Sequence, residues 1–272
     1  MLLGLALLAG CAPRPFDVTG RVALLGPFEG RYQEVGYNAL YAARLAAQDA
    51  GLTQIELLVV DDGGTASSAA ERARALHHDP LVKAVLLTGY AAAAPETQAA
   101  LGDIPALIIG QWGAAPTTDR VFMLASQELG RLLTAPPRIN VIEAATLTED
   151  ITGSEVFALA QFPLLSKHPE SVTIVSNASL PDGDFTERYR SSGLFVPVPG
   201  LLATLTYDAT FIAFTAATQE DRVTAHAFIA NTDYPGLNGT IRFENGFWAD
   251  APLHFYRYDT NGRLLPVNRA VE

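Results

Sequence analysis

The sequence has one cysteine in 272 residues, so no internal disulfide can form. It is short of basic residues, with 18 Lys and Arg against 29 Asp and Glu and a net charge of −11. Nucleic acid calls for a clustered basic face, and this balance argues against it. No apolar run reaches the length of about 20 residues that a membrane-spanning helix needs. Familiar chemical signatures are missing as well. There is no G-x-S-x-G nucleophile elbow, no Walker A loop and no G-x-G-x-x-G after the first strand. Of the five histidines, only His77-His78-Asp79 forms a cluster. Neighbouring side chains on a helix diverge by about 100°, so this reads as a solvated helix end and not as a metal site. No catalytic constellation, metal set or cofactor motif emerges.

What is present is alternation. "RVALLGPF" (21–28), "IELLVVDDGG", "VKAVLLTGY" and "PALIIGQWG" are continuous apolar runs ending in turn residues. Between them lie the Ala-rich helical stretch that stops at Gly51, then "ASSAAERARALHHD", with Ser or Thr before it as its cap, and "AAAPETQAALGD". Buried strands alternating with helices predict an α/β fold, a doubly wound parallel sheet covered on both faces. The paired Asp61-Asp62 is set to cap the following turn and helix. A phosphoacceptor receiver would need a further Asp at the end of the next strand, which ends in Thr-Gly-Tyr instead.

After Pro116 the pattern weakens. "RVFMLA", "INVIEAATL" and "SVTIVSNAS" read as strands. "ELGRLL" reads as a short helical piece, and "GSEVFALAQFPLLSKH" as a helix interrupted near Pro163. "TLTYDATFIAFTAATQEDR" reads as one long helix. The tail alternates apolar and polar residues and carries Asn-Gly at 245–246 and 261–262, the signature of antiparallel hairpins.

The first ten residues are only Met, Leu, Gly and Ala. That is the length and small-residue ending of a signal-peptide core. Leu8-Ala9-Gly10-Cys11 resembles a bacterial lipobox, although no Lys or Arg precedes it. The resemblance implies cleavage before Cys11, diacylglycerol on its thiol and a membrane-anchored lipoprotein in the extracytoplasmic cell envelope. Residues 1–10 are then the signal peptide. Residues 11–20 are a lipidated tether in which Pro13 and Pro15 disfavour helix.

The ordered pieces resemble the type 1 periplasmic solute-binding proteins, the leucine/isoleucine/valine-type receptors of ABC importers. "LLGPFEG…GYNALYAARLAAQDAG", "IELLVVDD", "AAERARALHHDPLVKAVLLTGY" and "IPALIIG" carry the likeness, as do "FTERYRSSGLFVPVPGLLATLTYDATFIAFTAA" and "LNGTIRFENGFWADAPLHFYRYDTNGRL". The resemblance implies two lobes with a ligand cleft between them. The first lobe would be 21–118 plus 185–232, and a reduced second lobe 119–184 plus 233–272. It also implies a small-molecule ligand, an ABC importer permease as partner and no catalysis. The family's carboxylate-binding hydroxyls are missing here: Ala93 and Gly113 stand near their places, and Val35 replaces an aromatic. An apolar or aromatic ligand surface suits these loops better. Phe28, Tyr90, Gln111 and Trp112 follow the predicted parallel strands, at the carboxyl edge where open α/β sheets bind ligands. They are the expected ligand-binding residues. Tyr207 and Asp208 match the family's YDA, expected as a structural helix start near the hinge. The alternative is a degenerate binding-protein-like lipoprotein that acts as a sensor or envelope scaffold through protein partners.

Overall fold

A computed structural model describes residues 18–134, 138–140, 156–159 and 172–267. Cys11 and the apolar run before it lie outside the described residues. Among the described residues, three β-sheets organise the chain. The largest has seven strands. Its parallel part holds β1 (Gly20–Gly26), β2 (Ile55–Asp61), β3 (Val82–Leu87), β4 (Ala106–Ile108) and β5 (Val121–Met123) in the order 2-1-3-4-5. Helix α1 (Gln33–Ala50) follows β1, α2 (Ala66–His78) follows β2, and α3 (Tyr90–Ala93) with α4 (Pro95–Ala100) follow β3. The α/β reading therefore holds for the first half.

Strands β1, β3 and β4 are almost wholly buried, as continuous apolar runs in a two-faced sheet must be. Strand β2 departs from the expected burial. It pairs only with β1 at the sheet edge, and Val59 is 37% exposed. The third helix also departs, because Pro95 breaks it into α3 and α4. Thr65 caps α2 by accepting from Ser68 N, so the cap is the residue type expected. Asp61 and Asp62 cap the turn and not the helix: Asp61 accepts from Gly63 N and also from Phe28 N on the β1 loop, and Asp62 accepts from Gly64 N.

Helix α5 (Gln127–Thr134) leads to a second, five-stranded sheet. There β6 (Arg138–Asn140), β7 (Val156–Leu159) and β8 (Val172–Ser176) run parallel. Residues Val156–Leu159 were expected in a helix. They form a strand held between β6 and β8. The chain then returns. Helices α7 (Leu201–Ala217) and α8 (Arg222–Asn231) pack on the first sheet, where α1, α7 and α8 cover one face and α2, α3 and α4 the other, and α6 (Gly183–Ser191) packs outside them on α1 and α7. The single long helix expected from 204 to 222 is two. Asp221 opens α8 with a reciprocal cap, its carboxylate accepting from Thr224 N while the Thr224 hydroxyl accepts from Asp221 N.

The tail forms three hairpins. β9 (Tyr234–Gly236) pairs with β10 (Gly239–Ile241), β11 (Phe243–Glu244) with β12 (Phe247–Trp248), and β13 (His254–Tyr258) with β14 (Leu264–Pro266). Asn245 and Gly246 turn the second with φ of 51° and 79°, the left-handed pair such a turn demands. Strand β12 runs parallel to β5, and β11 beyond it forms one edge of the seven-stranded sheet. Residues 121–123 and 243–248 thus belong to that sheet, beyond the boundaries at 118 and 233 expected for the first lobe. Strand β13 joins β8 in the other sheet.

Tyr207 and Asp208 lie in the middle of α7, not at its start. Tyr207 donates to Asp49 Oδ2 at 2.7 Å. Asp208 is 3% exposed and accepts from Leu237 N, Asn238 N and Asn238 Nδ2 at 2.7–3.0 Å, fastening the β9–β10 turn. Burial pushes its carboxyl up to about 6, against the pull of those three donors. The folded state therefore binds this proton more tightly than the unfolded chain, and the linked stability grows as pH falls from about 6 towards 4. Asp208→Asn should lower unfolding stability by about 1–3 kcal/mol at pH 7, because its amide turns a donor towards N–H groups. Denaturant titrations of both proteins between pH 4 and pH 7 check this. The wild type should gain stability over the variant on acidification, and equal slopes would refute the assignment.

Candidate ligand-binding site

The carboxyl ends of β1, β3 and β4 present three loops side by side. The β1 loop carries Phe28 and a 3-10 turn, Gly30–Tyr32. The β3 loop is Thr88-Gly89, leading into Tyr90 at the start of α3. The β4 loop is 109–120. Gly89 has φ +93°, and a Cβ there would sit 2.9 Å from Pro27 Cδ. Only glycine lets the β1 and β3 loops approach this closely. Gln98 joins the β3 and β4 loops. Its amide donates to the Ala93 and Ala115 carbonyls and accepts from Thr117 N and Oγ1 at 2.8–3.1 Å.

On this frame stand aromatic rings. Tyr32 lies 6.0 Å from Tyr90, and Tyr90 meets Trp112 edge-on at 5.7 Å. Phe28 meets Tyr37 edge-on at 6.2 Å. Phe28, Tyr32 and Tyr90 are half-buried, and each keeps part of its ring accessible. Trp112 is different. It is 2% exposed, and its indole N–H donates to the Ile109 carbonyl at 2.7 Å. It backs Tyr90 from within the core. Gln111 is 6% exposed and faces the second unit, its Nε2 lying 3.5 Å from where a Cβ on Gly130 of α5 would stand. The structure thus brings Tyr90 and Trp112 together, turns Gln111 towards Gly130 of α5, and sets Phe28 with Tyr37 on the neighbouring loop. Tyr32 was missed in the sequence because no strand-end signal marks it. Its only cue is its place just after the β1 turn.

Asp62 gives the site its electrostatic character. It is 1% exposed, its carboxylate accepts from Gly64 N, and it lies beside the Gly89 turn that leads into α3. Burial raises its pKa, and neighbouring Asp61 adds to the rise. Ala93 is fully buried and its N–H is spent on the Gly89 carbonyl. No hydroxyl stands at 93 or 113. Among the described residues, no group of three His, Cys, Asp or Glu side chains could hold a metal ion. Also among them, no helix is long and apolar enough to cross a membrane.

No protein-family model matches the chain, and no curated protein matches it. Solved structures do. An extracellular ligand-binding receptor from Desulfohalobium retbaense aligns with TM-score 0.72 and 16% identity over 92% of this chain, but over only 60% of its own length. The branched-chain amino acid substrate-binding protein LivJ from Streptococcus pneumoniae, in complex with isoleucine, aligns with TM-score 0.67 and 13% identity, over 92% of this chain and 99% of its own. A solute-binding protein of an ABC transporter from R. palustris, in complex with benzoate, aligns with TM-score 0.69 and 14% identity, over 91% of this chain and 95% of its own. At such identities the likeness establishes the fold, which is that of the type 1 periplasmic binding proteins. At 272 residues the chain is shorter than these neighbours.

The burial of Trp112 makes a direct prediction. Trp112→Ala should cost about 3–5 kcal/mol of stability through the cavity it leaves. Trp112→Phe, which keeps a ring against Tyr90 and gives up one hydrogen bond, should cost about 1 kcal/mol. Chemical denaturation of both variants checks the order, and equal losses would place the ring outside the core.

Proposed function

We propose that the protein is an extracytoplasmic solute-binding protein that presents a small apolar or aromatic molecule to an ABC importer, without catalysis. The observation that carries this reading is the row of half-buried rings, Phe28, Tyr32 and Tyr90, at the carboxyl edge of a parallel sheet, beside Gln111 where it faces the second unit. In a type 1 fold that edge borders the ground between the two units. Half-exposed rings offer a ligand stacking faces and edges. The benzoate complex of the R. palustris protein supports an aromatic ligand, and the isoleucine complex of LivJ a branched aliphatic one.

The chemistry of the loops narrows the class further. Buried Asp62 lies beside the Gly89 turn, and no hydroxyl stands at 93 or 113 to grip a carboxylate. A second carboxylate beside Asp62 would meet like charge in a partly desolvated site. A neutral ligand such as an aromatic amide fits better than the corresponding acid. Anchoring through lipid on Cys11 belongs to the same proposal and rests on the lipobox-like Leu8-Ala9-Gly10-Cys11 alone.

One observation favours a second reading. Leu194 and Phe195 stand side by side in the loop between α6 and α7, 93% and 90% exposed. Adjacent large apolar side chains this bare suit a protein partner. A lipoprotein acting as sensor or scaffold would use such a surface.

A thermal-shift screen separates the two. The panel contains benzamide, benzoate, leucine, isoleucine, short peptides and nucleosides. A ligand at a hundred times its dissociation constant adds about 2.7 kcal/mol to stability. Benzamide or another neutral aromatic should raise Tm more than benzoate, and Tyr90→Ala should abolish the rise. A cooperative melt that no compound shifts would overturn the solute-binding reading in favour of the partner-binding one.

A further inference from the structure

The chain passes between the two large sheets three times: after β5 at 124–126, after β8 at 177–182, and after β12 at 249–253. One side chain touches all three passages. Asn177 is 1% exposed. Its Oδ1 accepts from Ser126 N at 2.9 Å, on the first passage. Its Nδ2 donates to Ser126 Oγ at 3.3 Å and to the Pro252 carbonyl at 2.8 Å, on the third. Asn177 itself stands on the second. Both amide hydrogens and a carbonyl lone pair are thereby used. Ser126 in turn accepts from Leu129 N, so the first turn of α5 is tied to the same point.

We propose that Asn177 is the pin of the hinge, the positioning residue that makes the three passages turn as one and so fixes the axis about which the two units move. The physical reason lies in the alternatives. Passages between sheets lack ladder partners, so each could bend independently. A buried amide bonded to the other two removes that freedom. Any bend in one passage must break a buried hydrogen bond or carry the others along, and such a break leaves polar groups without water. Rotation about the pin keeps all three bonds. A second grip holds the middle passage from the seven-stranded side: Ser179 N donates to Asn238 Oδ1 at 2.7 Å, and Asp208 holds Asn238. The pin therefore sits on a fixed mount. Its role concerns the geometry of movement, goes beyond solute binding, and can be read with no ligand present.

The test uses the full chain with Cys11→Ser and spin labels on Glu71→Cys and Thr260→Cys, both exposed, one on each unit. Electron-electron double resonance gives the distribution of distances between the units in ligand-free protein. Asn177→Ala should broaden that distribution about twofold, since separate bends add orientations a single axis forbids. Asn38→Ala is the control. It removes another buried asparagine, which donates to the Val198 carbonyl within the seven-stranded unit, and should lower Tm without broadening. If Asn177→Ala does not fold, Asn177→Asp serves. It keeps the size and the acceptor for Ser126 N but sets an oxygen against the Pro252 carbonyl, and should broaden the distribution likewise. An unchanged distribution in the folded Asn177 variant, or equal broadening in Asn38→Ala, overturns the proposal. Neither result bears on whether the protein binds a solute, which the thermal screen decides separately.

Discussion

The architecture turns on a single constraint: a chain that leaves one sheet for another and comes back must satisfy its backbone where no ladder exists. Here three such passages converge. The amide of Asn177 bridges them, and the ring of Tyr256 adds a hydrogen bond to the Ala178 carbonyl at 2.7 Å beside it. The seven-stranded sheet needs β11 and β12 from the far end of the chain, and the five-stranded sheet needs β13 and β14. Neither unit is complete without strands that arrive through this junction. What holds the crossing together also sets where the sheet edges face one another, and hence where Gln111 meets α5.

The site itself is a compromise between rigidity and exposure. Its floor is core: Trp112 is sealed with its N–H satisfied, and Gln98 locks two loops through four hydrogen bonds. Its surface is rings that keep an accessible face. A buried acid, Asp62, sits beside the Gly89 turn. The isoleucine and benzoate complexes of two structural neighbours show one fold serving different small molecules.

Much of the fold was legible because burial on both faces writes itself as unbroken apolar runs. "VALLG" and "AVLL" could hardly be anything but central strands, and both are. Val156–Leu159 was misread because four apolar residues have no period that separates helix from strand; its place between β6 and β8 decided it. The break between α7 and α8 hid because Thr218–Asp221 carries neither Gly nor Pro, and its signal, Asp221 with Thr224, is a cap inside a helical composition. Of the expected site residues, Tyr90 and Gln111 stand just after β3 and β4, as the apolar runs led one to expect. Trp112 shared that cue but faces inward, since position after a strand does not say which way the side chain turns. Asn177 offered no cue at all. Its importance comes from contacts with residues 51 and 75 positions away.

The order in which the pieces appear has a consequence for synthesis. Helix α7 lies against β1, β3 and α1, yet it begins at Leu201, nearly a hundred residues after β4 ends. Until a ribosome has made it, the apolar face of the first strands has no cover from that side. The half-made chain therefore carries a sticky surface through much of its translation, the condition under which nascent proteins aggregate or are bound by holding chaperones. A protein assembled from interleaved segments is committed to folding late, when almost all of its length is available at once.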